Sequence, residues 1–230
     1  MSWDLDALLL DFGGTIDADG VHWGERFFQL YREVGVALPR ERFDEVFEVV
    51  DGEIQKRTVD HFELQDIVAL QVHAHCVRLN IDGEKIQKQV IERAVKSASE
   101  NIEKNKKVLE RCARRLPLGL VSNYHGNLLT VCRGYGLDAL FKVIVDSKKV
   151  GFEKPDSRIF RIALDGLKAR PERAAFVGDS FDSDIVGAKA LGLKTVWLRH
   201  KTNRVRGDPA LVDATVASLS EIETFICSER

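Results

Sequence analysis

The chain has 230 residues, 44% of them apolar and 30% charged, a balance that excludes a disordered or fibrous protein and supplies ample material for a buried core. Its formal net charge of −2 creates no global positive field, which argues against nucleic acid or an anionic membrane as a partner. No segment approaches the roughly 20 consecutive apolar residues that a membrane-spanning helix needs.

The first apolar run, Ala7 to Leu10, is short, preceded by Asp4 and Asp6 and closed by Asp11, so it reads as a strand and not as a signal peptide. Similar runs follow at Leu118–Val121, Val143–Val145, Ala174–Val177 and Thr195–Leu198, each closed by polar or glycine residues. Such runs suit strands buried on both faces, as in a parallel sheet. Between them, Val108–Arg115, Arg158–Leu167 and Ile185–Leu191 carry apolar residues at helical spacing. Strand and helix alternating in this way predict an α/β fold with a doubly wound parallel sheet.

The stretch after Asp17 breaks the alternation. Trp23–Val36, Arg40–Ile54, His61–Leu79 and Gly83–Ile102 read as amphipathic helices, with Pro39 at a helix start and Asp82-Gly83 at a turn. The expected organisation is a core made of residues 1–16 and 106–230, carrying an inserted helical domain of residues 17–105 as a lid above the strand ends. Four scattered cysteines (Cys76, Cys112, Cys132, Cys227) without a C-x-x-C pair are expected to be reduced thiols, which suits a cytoplasmic protein.

Open α/β sheets bind ligands at the carboxyl ends of their strands, and four of these runs end in suggestive chemistry. Asp11-Phe-Gly-Gly-Thr15 offers a carboxylate that a closely approaching backbone can carry to a ligand, although an Asp before a glycine pair is equally a turn. Ser122-Asn123 offers a hydroxyl and amides for phosphoryl oxygens, or a helix cap. Gly151-Phe-Glu-Lys154-Pro-Asp156 presents a lysine, a residue type most often found as a solvated surface charge. Gly178-Asp179-Ser-Phe-Asp182-Ser-Asp184 crowds three carboxylates, which a hard cation such as Mg²⁺ would relieve.

In this order the four stations resemble the motifs of the haloacid dehalogenase superfamily of phosphatases and related hydrolases, from Leu8 to about Leu198. The fourth, Val177 to Ile185 continuing into Gly187-Ala-Lys-Ala-Leu-Gly192, is the most specific. The helical insertion is similar to that family's helical cap. The resemblance implies a Rossmann-like core and a small phosphorylated substrate. Asp11 would be the nucleophile that becomes an aspartyl phosphate. Mg²⁺ would be held by Asp11, Asp179 and the carbonyl of Gly13, with Asp184 orienting its waters. Ser122, Asn123, Lys154 and Gly14 would bind phosphoryl oxygens, with Ser122 and Lys154 assisting catalysis.

One position departs from that pattern. Family phosphatases carry a second aspartate, the acid/base, two residues after the nucleophile, where this chain has Gly13. Positioned acid/base groups contribute about 10²–10⁴-fold in rate, so turnover is expected to be weakened, least for aryl and acyl phosphates with good leaving groups. Asp17 and Asp19 are candidates to deputise, set against a purely structural role at the hinge. The alternatives are a non-catalytic module that binds Mg²⁺ and a phosphate ligand, a dehalogenase-type enzyme, or a phosphonatase using a cap lysine such as Lys56 or Lys85. The acidic fourth motif speaks against metal-free dehalogenation.

His22, Trp23, His61, His73 and His75 are read as packing or surface residues before substrate contacts, and His73 and His75 do not share a helix face. His125, just beyond Ser122-Asn123, is the nearer candidate for substrate contact. The basic stretch Arg199–Arg206 is expected to form a solvated loop. The sequence leaves monomer and homodimer equally open.

Overall fold

The structure is a computed structural model that describes residues 3–200 and 207–226. Among the described residues, six strands form one parallel sheet in the order β3-β2-β1-β4-β5-β6. They are β1 (Ala7–Leu10), β2 (Leu118–Ser122), β3 (Phe141–Asp146), β4 (Ala174–Gly178), β5 (Lys194–Leu198) and β6 (Ala214–Val216). Every residue of β1, β2 and β4 is buried, so the continuous apolar runs reflect burial on both faces. The doubly wound α/β sheet expected from the alternation is the observed fold. β6 is only three residues long and partly exposed, and it has no apolar run by which the sequence could reveal it.

Side chains alternate across each strand, and β1 divides accordingly. Ala7 and Leu9 face a cluster with Phe160 and Phe176, while Leu8 and Leu10 face the larger cluster that continues into the helices between β1 and β2. Those helices are α1 (Trp23–Glu33), α2 (Arg40–Ile54), α3 (Leu64–Leu79) and α4 (Glu84–Ala113). Helix α2 has the expected bounds, but α4 is longer than expected, running unbroken through the position 105/106 expected to part insertion from core. The reason is local. Asn105 is fully buried in mid-helix, and its side-chain amide donates to the Ile16 carbonyl at 2.9 Å and to Asp19 Oδ1 at 3.0 Å. The two chain crossings therefore lie side by side.

After β2 come α5 (Leu128–Gly134), the single turn α6 (Ser147–Val150), α7 (Ser157–Leu167) and α8 (Val186–Ala190). Among the described residues, no helix is long and apolar enough to cross a membrane. Cys76, Cys112 and Cys132 are buried, Cys76 and Cys132 as free thiols, whereas Cys227 and residues 201–206 of the basic stretch lie outside the described residues.

Candidate active site

The strand order reverses between β1 and β4, the place where open parallel sheets form a crevice at their carboxyl ends. Asp11 leaves β1 there, and its N–H donates to the Val177 carbonyl of β4 at 2.9 Å. Asp179 leaves β4, and Ser122 closes β2. After Asp179 the chain makes one wide helical turn, Phe181–Ile185, which carries Asp184 inward and buries it. Asp182, on the same turn, is exposed. The crowding of carboxylates is thus real, but its third member is Asp11 and not Asp182.

Asp11, Asp179 and Asp184 are all buried, and one oxygen from each lies within 4.8 Å of the others. Lys154 Nζ is 2.5 Å from Asp11 Oδ1 and 2.7 Å from Asp184 Oδ1. Ser122 Oγ donates to the same Asp11 oxygen at 2.8 Å, and Thr15 Oγ1 donates to Asp179 Oδ1 at 3.1 Å. Burial, then the charges of Asp11 and Asp184, push the Asp179 carboxyl well above the usual range. Burial raises Asp184 to about 6, against the pull of Lys154. For Lys154, burial alone would lower the ammonium, but Asp11 and Asp184 outweigh it and hold its pKa above the ordinary value.

Three carboxylates against one ammonium leave two formal negative charges in a buried space, an arrangement that a divalent cation could neutralise with oxygen ligands. Gly14 makes room for it. Its φ is +87°, and a Cβ there would lie 2.5 Å from Asp179 Oδ2, so only glycine lets that carboxylate lie against the loop. The cluster can therefore hold a metal ion. Asn123 lines the cavity beside the cluster, and its side chain grips the main chain at Lys154. Its Nδ2 donates to the Lys154 carbonyl at 3.0 Å, and its Oδ1 accepts from the Lys154 N–H at 2.8 Å. That bracket holds the backbone of the lysine that meets Asp11.

Nothing from the neighbouring loop fills the place of a side chain at Gly13. A Cβ there would have Trp23 Cδ1 at 3.6 Å, ordinary contact, and the backbone is not left-handed. Asp17 is fully buried, accepting from the Gly14 N–H at 2.7 Å through one oxygen and from Trp23 Nε1 at 2.7 Å through the other. Asp19 is held by Lys104, Asn105 and the Leu219 N–H. Both aspartates spend their hydrogen bonds on groups other than Asp11.

Above the cluster lies a cavity of about 270 Å³, roofed by α3 and flanked by His22, Trp23, Phe47 and Asp51 from the helical insertion. His125 reaches it from the core side and pairs through Nε2 with Asp51 Oδ1 at 2.7 Å. His22 caps α1, with its Nδ1 accepting from the Gly24 N–H at 3.1 Å. His61 and His73 are exposed, and His75 is fully buried among Phe27, Tyr31, Phe43 and Phe47. Lys56 and Lys85 are exposed and do not line the cavity; Lys154 does. Thr15, Asp51 and the α3 wall are site features that sequence reasoning does not single out. The wall has a readable signal, since Leu64, Ile67, Val68 and Gln71 share one helix face with a single polar member.

A family model described as haloacid dehalogenase-like hydrolase matches residues 5–192. A mouse haloacid dehalogenase-like hydrolase domain-containing protein 3 is 42% identical over 86 residues, 37% of this chain and 34% of that one. A phosphoserine phosphatase of Thermus thermophilus is 38% identical over 89 residues, 39% of this chain and 35% of that one. A pyrimidine 5′-nucleotidase of Escherichia coli is 34% identical over 113 residues, 48% of this chain and 49% of that one. The chain thus spans between a third and a half of these relatives' length. Among solved structures, a dehalogenase with an intermediate complex superposes with TM-score 0.70 at 21% identity, covering 100% of both chains. A magnesium-bound HAD-hydrolase of Bacillus subtilis gives TM-score 0.61 at 18% identity over 97% of this chain and 99% of that one. With the match running from the strand before Asp11 past the acidic turn after β4, the chain belongs to the haloacid dehalogenase-like hydrolase family.

Proposed function

We propose that this chain is a Mg²⁺-dependent phosphohydrolase of small phosphomonoesters that works through an aspartyl phosphate at Asp11. The observation that carries this reading is the buried meeting of Asp11 with Lys154, Ser122, Asp179 and Asp184 at the point where the strand order reverses. The relatives' names, which include phosphoserine phosphatase, glyceraldehyde 3-phosphate phosphatase and pyrimidine 5′-nucleotidase, support phosphomonoester chemistry without choosing a substrate.

Asp11, Asp179, Asp184 and the Gly13 carbonyl would hold the cation, which when bound offsets charge on the phosphoryl oxygens. Lys154 lowers the repulsion between an anionic nucleophile and an anionic substrate, and with Ser122 it fixes the Asp11 oxygen in place. Asp11 attacks phosphorus, and the P–O bond to the leaving group breaks. Water then displaces the carboxylate from phosphorus and regenerates Asp11. Because position 13 carries no acid, the leaving oxygen departs without a positioned proton and water attacks without a base. Aryl and acyl phosphates are the favoured substrates on this account, and phosphoenzyme accumulates. The helices between β1 and β2 act as the cap, closing the cavity against bulk water.

The test is p-nitrophenyl phosphate turnover with Mg²⁺ by wild type and Asp11→Asn, with mass spectrometry of quenched protein. Turnover with a phosphate adduct that Asp11→Asn abolishes is expected. Activity surviving Asp11→Asn would sink the assignment. A second reading, a ligand-binding module without turnover, is favoured by Gly13 and by the engagement of Asp17 and Asp19 elsewhere. It predicts no hydrolysis even of p-nitrophenyl phosphate.

A further inference from the structure

The α3 stripe that roofs the cavity is apolar at Leu64, Ile67 and Val68 and then presents Gln71. Gln71 is only 6% exposed, lines the cavity, and has no hydrogen-bond partner for its side chain among the described residues. Its amide atoms stay in contact with the cavity, so their bonding capacity is open to a ligand that enters. Its carbonyl and NH₂ together form an acceptor beside a donor, the complement of another amide or of an imide edge. His22 adds a second neutral donor. Because the Gly24 N–H occupies its Nδ1, the ring proton of the neutral form sits on Nε2, the nitrogen that makes no bond to any described residue.

Charge narrows the ligand further. Among the described residues, Lys154 is the one lysine or arginine lining the cavity, and it is committed to Asp11 and Asp184. On the insertion side the charged lining residue is Asp51, a carboxylate held by His125. A second phosphate or a carboxylate on the substrate would find no further lysine or arginine there among the described residues and would meet Asp51. From these observations we infer that Gln71 is a specificity-determining residue, and that the site takes a phosphomonoester whose uncharged remainder carries an amide- or imide-type edge between apolar faces. This inference rests on the reading of the Asp11 cluster as the phosphoryl site. The cavity volume of about 270 Å³ suits a phosphoryl group with a remainder no larger than a ring or two.

The experiment is calorimetric binding to the full chain carrying Asp11→Asn, in Mg²⁺, of phenyl phosphate and its 4-carbamoyl and 4-carboxy derivatives. Uridine 5′-monophosphate tests the same edge on a nucleotide. The 4-carbamoyl compound is expected to bind about tenfold or more tightly than phenyl phosphate, as one or two added hydrogen bonds would give. The 4-carboxy compound is expected to bind more weakly than phenyl phosphate. Gln71→Met brings the carbamoyl-to-phenyl ratio to about one, and Gln71→Glu shifts preference to 4-(aminomethyl)phenyl phosphate. A carboxy compound that binds as well as the carbamoyl one, or a ratio that Gln71→Met leaves unchanged, overturns the inference. Orthovanadate binding in the same titrations separates the two readings. If it binds to wild type but the ratio is absent, only the specificity claim fails; if it does not bind, the phosphoryl site fails and the claim falls with it.

Discussion

At the sheet end of the cavity, Lys154, Ser122 and Thr15 already occupy oxygens of Asp11, Asp179 and Asp184, whereas across from them α3 offers three apolar side chains and an amide without a partner among the described residues. The first region is charged, buried and internally bonded. The second is neutral and open to whatever enters. Residues that must stabilise a developing charge are best fixed before the ligand arrives. Residues that distinguish one leaving group from another must keep bonding capacity unspent until then. Position 13 is where the contrast breaks down, because the well-bonded sheet end lacks a side chain where the proposed mechanism would place an acid/base.

The largest expected effect comes from repairing that place. Gly13→Asp finds ordinary contact distances at its Cβ, and should raise turnover of an alkyl phosphate by about 10²–10⁴-fold and of p-nitrophenyl phosphate by less. Steady-state rates on both substrates check this, and equal gains on the two would argue that the new carboxylate acts only through structure. Next comes the charge balance at the sheet end. Lys154→Met leaves buried carboxylates without their counter-ion and should cost roughly 3–5 kcal/mol of stability in chelator. Denaturant unfolding should recover part of that loss when Mg²⁺ is added; no recovery would separate the carboxylates from metal binding.

On the insertion side, His75 is fully buried against four aromatic rings, and burial lowers its pKa from 6.5 to about 4. A histidine with a depressed folded pKa is protonated first in the unfolded chain. Its contribution is therefore complete above about 6.5, falls as pH drops through the window from 6.5 to 4, and levels off below, for a total of about 3 kcal/mol. His75→Leu should remove that dependence, measured as the difference between variant and wild-type unfolding free energies at pH 7 and pH 4.5. Parallel curves would contradict the neutral buried ring. The smallest effect is at the rim, where Asp51→Asn weakens the pair with His125. Since Asp51 is partly exposed, a double-mutant cycle with His125→Ala should give a coupling within about 1 kcal/mol.

Most of the sheet end is legible in the sequence because each of its members sits at the tip of a buried strand or in the loop after one, where composition changes abruptly. Asp11, Ser122, Lys154, Asp179 and Asp184 converge as their positions suggest. Asp182 does not follow, because the wide turn at Phe181–Ile185 rotates it outward while carrying Asp184 in, and spacing alone does not distinguish those two outcomes. The opposite wall is far less legible. Asp51, Gln71 and His125 come from α2, α3 and the loop after β2, and only tertiary packing brings them to one space. Strand β6 and the joining of α4 are hidden for other reasons: one is too short to show a pattern, and the other passes a buried polar residue without breaking.

That uninterrupted helix has a mechanical consequence. A rod stitched to the β1 exit at Asn105 would act as a lever with its fulcrum beside the loop that follows Asp11. The arm from Glu84 to Asn105 is about 32 Å long at 1.5 Å per residue. A swing of about 10° around that fulcrum would carry its far end about 5–6 Å, by the same helical geometry, while Ile16 and the loop that follows Asp11 scarcely moved. Opening of the roof could then be wide without disturbing the carboxylates beneath it.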